Sequence, residues 1–223
     1  MSSSSSAVSE PPAQSTTATR ALLPRVGSLL AFAPLGAWTT WHLWENLAAF
    51  QGRDAWESRV TAAQPPAIEF ATSLVILLPL VLHTIWGVRR IFMVRPNVRR
   101  YPNFANIKFV LQRLSALGLL AFIPAHLWLA RFQPLIATGH HETFADIADH
   151  MRNHPPTLIV YILGVLGVAY HLANGLATGG MTWGFAATPR AMQRMNWISA
   201  AYFIVLLAMG WGSMYALWLH GAH

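Results

Sequence analysis

Residues 157–178, TLIVYILGVLGVAYHLANGLAT, run for 22 positions without a charged side chain and carry one imidazole, His171. At 1.5 Å per residue a helix of this length crosses a hydrocarbon core of about 30 Å. Four further apolar blocks repeat the pattern, near 26–48, 68–88, 110–130 and 197–219. Alternating ten-residue strand patterns are absent, which argues against a β-barrel. Of the 223 residues, 54% are hydrophobic and only 10% charged, where a soluble domain of this size carries roughly a quarter charged. The chain therefore reads as an all-α integral membrane protein, a bundle of five transmembrane helices within residues 25–220. Ahead of it, residues 1–24 begin MSSSSSAVSEPPAQSTTATR, a Ser/Thr/Pro-rich stretch that predicts a disordered tail. A secretory signal would place its apolar region earlier. A mitochondrial presequence would need more than Arg20 and an amphipathic pattern.

Basic residues set the orientation. Arg20, Arg25, Arg89, Arg90, Arg95, Arg99, Arg100, Lys108, Arg113, Arg190 and Arg194 fall on one side of the predicted spans. Arg53, Arg59, Arg131 and Arg152 fall on the other, with most of the acids. The positive-inside rule then puts the N-terminus in the cytoplasm and the C-terminus outside. The net charge of +7 follows the membrane and does not indicate nucleic acid.

Four of the five segments carry an ionisable imidazole: His42, His83, His126 and His171. Such groups are costly in hydrocarbon and are read as functional by default. Their depths fall at two levels. His42 and His126 each lie sixteen residues beyond the start of an outward-running segment, about 24 Å from the inner boundary. His83 and His171 lie fifteen and fourteen residues into inward-running segments, about 21–23 Å from the outer boundary. His42 therefore pairs with His126 near the outside and His83 with His171 near the inside, the two levels being roughly 15 Å apart. Four histidines in depth-matched pairs suit two bis-histidine haems stacked across a membrane, neutral imidazole being a good axial ligand. The chain has no cysteine, so thiolate-held clusters, disulfides and covalently attached haem are excluded.

Gly164, Gly167 and Gly175 share a helical face with His171, and Gly87 follows His83 by four. They would let a flat ligand approach, but on spacing alone ordinary small-residue helix packing is the better account. Pro79 and Pro124 should kink the segments of His83 and His126. The loop at 131–156 holds His140, His141, Glu142, Asp146, His150 and His154. No fixed metal-ligand motif is matched, so it reads as a solvated amphipathic helix on the outer surface.

Particular stretches go further: Leu-Pro79-Leu-Val-Leu-His83-x-x-Trp-Gly87, Phe109-Val-Leu-Gln112-Arg113, His126-x-Trp128 and Tyr170-His171-x-x-Asn174-Gly175-Leu. In this order they resemble the cytochrome b subunit of succinate:quinone oxidoreductases, in its form with a single five-helix anchor and two haems, over about residues 24–219. The resemblance implies an anchor in a bacterial cytoplasmic membrane, beneath a flavoprotein subunit and an iron–sulfur subunit. Electrons would pass from the iron–sulfur subunit through two b haems to a quinone, commonly menaquinone, with no flavin or dicarboxylate site on this chain. It also implies that first pairs with third histidine and second with fourth. Some diheme fumarate reductases of this family use a glutamate on the fifth helix; residues 197–219 have no acid, which favours succinate oxidation over fumarate reduction. Reducing a quinone consumes protons, so its site needs a titratable group near the outer haem. Glu69, at the outer start of the second segment, is preferred because related anchors use a glutamate in that region, with Glu45 next. Arg113 is the candidate partner of an inner haem propionate or of the iron–sulfur subunit. The competing readings are a fumarate reductase anchor, the diheme subunit of another respiratory oxidoreductase, and a proton or metal transporter. Assembly into higher oligomers is left open by the sequence.

Overall fold

The computed structural model describes residues 25–29, 31–93 and 98–221, all helix, turn or irregular chain with no strand among them. The predicted tail and part of the basic loop, at 94–97, lie outside the described residues. The first predicted segment is not one uniform α-helix. A π-helical turn at Ala31–Gly36, holding Pro34, leads into α1, Ala37–Asn46, and a 3-10 turn at Leu47–Gln51. The short α2, Arg53–Trp56, follows. Then come α3, Pro66–Met93; α4, Phe104–Leu127; α5, Gln133–Thr138; α6, Phe144–Asn153; α7, Pro155–Thr182; and α8, Pro189–His220.

Among the described residues four helical stretches are long and apolar enough to cross a membrane: Pro66–Met93, Phe104–Thr138, Pro155–Thr182 and Pro189–His220. Each outruns its predicted apolar block, and two of them begin on polar caps. Asn103 caps α4 through the Asn106 amide, and Thr188 caps α8 with Pro189 in its first turn. Pro79 leaves α3 unbroken. Beyond Pro124 the α4 ladder widens into a π turn at Trp128–Phe132 before α5; a proline has no amide to give the preceding turn, and π turns absorb such defects. That α3 has no buried residue, with Phe70 71% and Phe92 82% exposed, is understandable only if lipid is its solvent.

The centre of the bundle is α7, flanked by α4 and α8, with α1 and α6 against α8 and α3 against the Ala31–Gly36 turn. Between apolar helices in lipid, hydrophobic transfer gives no drive; close packing and polar contacts hold them. Ser199 Oγ donates to the Ala173 carbonyl at 2.6 Å, Trp211 Nε1 to the Ile162 carbonyl at 3.2 Å, and the Thr40 and Tyr202 hydroxyls meet at 2.6 Å. Gly164 lets α4 approach, since a Cβ there would overlap the Phe122 ring. Gly164→Ala is expected to lower the thermal stability of the assembled protein by about 1–3 kcal/mol through overpacking. Gly118→Ala, where a Cβ meets nothing within 4 Å, is the control and should be neutral or slightly stabilising.

One end of the bundle carries a cap in which sequence reading placed only a solvated helix. Trp56, Phe144, Ile147 and Met151 are buried there together with Ala48, Ala49 and Leu217. The amphipathic reading of α6 holds, with its Thr143/Asp146 capping box. The solvated reading fails, because the apolar face packs into a core shared with α8 and the 47–61 segment.

Candidate functional site

The four membrane histidines come together in two pairs. The rings of His42, on α1, and His126, on α4, have centroids 6.0 Å apart at 63°. Those of His83, on α3, and His171, on α7, lie 6.2 Å apart at 84°. A metal–imidazole bond of about 2 Å on each side of one iron, with each ring centre about 1 Å behind its nitrogen, gives a centroid separation of roughly 6 Å. Both pairs fit that span. Among the described residues no three His, Cys, Asp or Glu side chains converge to hold a bare metal ion. Two ligands suit a group that brings its own equatorial donors, as a porphyrin does.

Neighbouring side chains orient these rings, and spacing alone did not assign them. The Tyr161 hydroxyl lies 3.1 Å from His126 Nδ1. Ser115 Oγ lies 3.2 Å and Gln112 Nε2 3.3 Å from His171 Nδ1. Gln112 also donates to the His171 carbonyl at 3.2 Å and accepts from Asn174 Nδ2 at 2.8 Å. The Gln-Arg and His-x-x-Asn-Gly stretches thus meet in space: Gln112 and Asn174 form one clamp on His171. Engaging Nδ1 fixes ring orientation and leaves Nε2 for a ligand. Asn46 donates to the His42 carbonyl at 2.8 Å and accepts from Trp56 Nε1 at 3.2 Å, which ties α1 to the cap. Trp38 stacks on His42 at 4.9 Å and Phe122 on His126 at 5.7 Å. The glycines divide. Gly164 and Gly167 pack against Phe122 and Leu119, whereas Cβ atoms at Gly87 and Gly175 would meet nothing within 4 Å.

Glu69 is half-buried and ion-paired with Arg131, from the π turn after α4, with His141 Nε2 3.8 Å from the same carboxylate oxygen. Glu45 is also half-buried, one turn past His42. Arg113 donates to the Arg90 carbonyl at 3.3 Å and lies 4.0 Å from the centre of the Phe109 ring, tying α4 to the end of α3. In the loop cluster, His150 approaches Glu142 at 3.5 Å and His154 approaches Asp149 at 3.5 Å. Glu142, expected in solvent, is only 4% exposed.

Apolar helices with two facing imidazole pairs define the class: a multi-pass helical membrane protein. Residues 94–210 match the family described as succinate dehydrogenase/fumarate reductase transmembrane subunit. The chain is also similar to the succinate dehydrogenase cytochrome b558 subunit of Bacillus subtilis (strain 168), with 30% identity over 193 residues, covering 86% of this chain and 94% of that protein. It belongs to the succinate dehydrogenase/fumarate reductase transmembrane subunit family, the membrane part of an oxidoreductase complex.

Proposed function

We propose that this chain is the diheme cytochrome b anchor of a succinate dehydrogenase in a bacterial cytoplasmic membrane. It spans the membrane five times, with the segment ending in α1 as the first span, the N-terminus cytoplasmic and the C-terminus external. The observation that carries the reading is the spacing of the two histidine pairs, each bridging two different helices at the separation one iron requires. His42 and His126 hold the outer haem b, His83 and His171 the inner one. Bound there, the haems supply two one-electron stations between an iron–sulfur subunit and a membrane quinone, which we assign as menaquinone. Around them the chain excludes water, fixes ring orientation through Tyr161, Ser115 and Gln112, and supplies carboxylates at the outer end for proton uptake. Succinate is oxidised on the flavoprotein partner. The absence of acids from residues 197–219 supports that direction over fumarate reduction.

Purification of the native complex with a reduced-minus-oxidised spectrum tests this. Two b-type haems co-purifying with flavoprotein and iron–sulfur subunits are expected. A chain with no haem spectrum and no soluble partners would be a transporter instead. At the cytoplasmic end, Arg113→Glu is expected to weaken assembly with the iron–sulfur subunit or lower the inner haem potential, because the guanidinium stabilises nearby negative charge. A redox titration of the purified complex reads the second effect. No change in either would leave Arg113 only its part in membrane orientation and in joining α3 to α4.

A further inference from the structure

Glu142 is the most deeply buried carboxylate among the described residues, and the pairing of the four histidines leaves it without a role. It lies between the outer surface and the His126 side of the bundle. Outward, its Oε1 is 3.5 Å from His150 Nδ1, and neither atom has a hydrogen-bond partner among the described residues. His150 is 30% exposed at its side chain and its ring lies 5.3 Å from that of His154, which is 56% exposed. Inward, the carboxyl is within electrostatic reach of Tyr161, whose hydroxyl is 3.1 Å from His126 Nδ1. Its chain neighbour His141 touches Glu69. A buried carboxyl facing an imidazole is costly unless one of the two holds a proton.

We infer that Glu142 is the proton relay of the outer half of this protein, charged from external water through His150 and discharging toward the quinone reduced beside the His42/His126 pair. The inference rests on the quinone-reducing reading above. Two electrons from succinate oxidation in the partner subunits and two protons convert the quinone to quinol. For each proton, the Glu142 O–H bond breaks, an O–H bond forms at the quinone, and the carboxylate is reprotonated from water by way of His150. Burial, with the Asp146 charge second, pushes the Glu142 carboxyl up to about 8, so at neutral pH it is loaded and ready to donate. The groups facing it are His150 and Asp146 on α6, Tyr161 on α7 and, from the segment after α2, Glu57, which accepts from the Phe144 amide at 2.9 Å. From α8, His220 meets Phe144 edge-on, ring centres 5.3 Å apart. Asp146 is held below the usual carboxylate range, first by the Thr143 hydroxyl; it stays ionised and does not compete as donor.

The test uses the whole complex with a water-soluble naphthoquinone as acceptor. Wild-type quinone reduction should lose rate as pH rises through about 8, whereas dye reduction by the soluble subunits should not follow that limb. Glu142→Gln should slow quinone reduction by at least about tenfold and remove the limb, with both haem spectra and dye reduction intact. Glu142→Asp, which keeps the carboxyl, should recover part of the rate. Independently of turnover, a pH titration of the oxidised complex by infrared difference spectroscopy should show one protonated-carboxyl band lost near pH 8, missing from Glu142→Gln. If Glu142→Gln fails to assemble, His150→Gln carries the test, since it cuts the same route at a partly exposed position. A haem-replete complex whose rate and pH profile are unmoved by both substitutions overturns the relay. A complex with no haem or no quinone activity in the wild type overturns the reading beneath it.

Discussion

Replacing His171 with alanine is expected to remove the inner haem, leave the outer haem spectrally intact, and abolish succinate-driven quinone reduction. The pairs justify the selectivity. His171 faces His83 and its own clamp, Gln112, Ser115 and Asn174. His126 instead faces His42, Tyr161 and Phe122. By helical rise the levels stand roughly 15 Å apart, too far for one macrocycle to span both. Removing an axial ligand should cost more than the 10–100-fold in affinity typical of losing an outer-layer partner, so loss of quinone turnover by more than about 100-fold is expected. His83→Ala should copy the result, and His42→Ala or His126→Ala should delete the other haem. Should His42→Ala and His83→Ala erase the same spectral component, the assignment of pairs to haems would be wrong. Gln112→Leu should act more mildly, loosening His171 without removing it and shifting the inner haem potential.

Much of this was legible because membrane physics simplifies sequence. Where water is absent, apolar runs must be helices, and an imidazole inside one stands out. Counting 1.5 Å per residue from span ends placed His42 level with His126 and His83 level with His171. The structure brings those residues into ring contact. Depth can be read from one chain; rotation about a helix axis cannot. Gln112 and Asn174 were visible as members of motifs, yet nothing in spacing showed that they clamp one another and His171. Tyr161 and Asn46 were ordinary polar residues until tertiary packing aimed them at His126 and His42. The cap was lost for a different reason. In water, residues 47–61 and α6 fold by burying Trp56, Phe144, Ile147 and Met151 against one another, a long-range arrangement that the polar loop composition concealed. Its most consequential member is Glu142. A carboxylate beside four histidines in a loop reads as solvated, yet the fold leaves it only 4% exposed. In the first segment, Pro34 sits in a π turn that interrupts the α-helical ladder, a local detail that an apolar run does not disclose.

Glu69→Gln is expected to preserve both haems and assembly, leave dye reduction by the soluble subunits unchanged, and sharply reduce succinate-driven quinone reduction. Glu69 lies in the first turn of α3, half-buried against Arg131 with His141 3.8 Å away. The amide keeps the shape and can still accept a hydrogen bond from Arg131, so folding should survive; it cannot take or give a proton. General acid–base groups typically contribute 10²–10⁴-fold, and a loss of at least about 100-fold is anticipated if Glu69 hands protons directly to the quinone. Glu45→Gln, one turn beyond His42 and with no ion pair among the described residues, should have the smaller effect. Wild-type turnover in Glu69→Gln would take Glu69 out of the mechanism and make Glu45 the residue to examine.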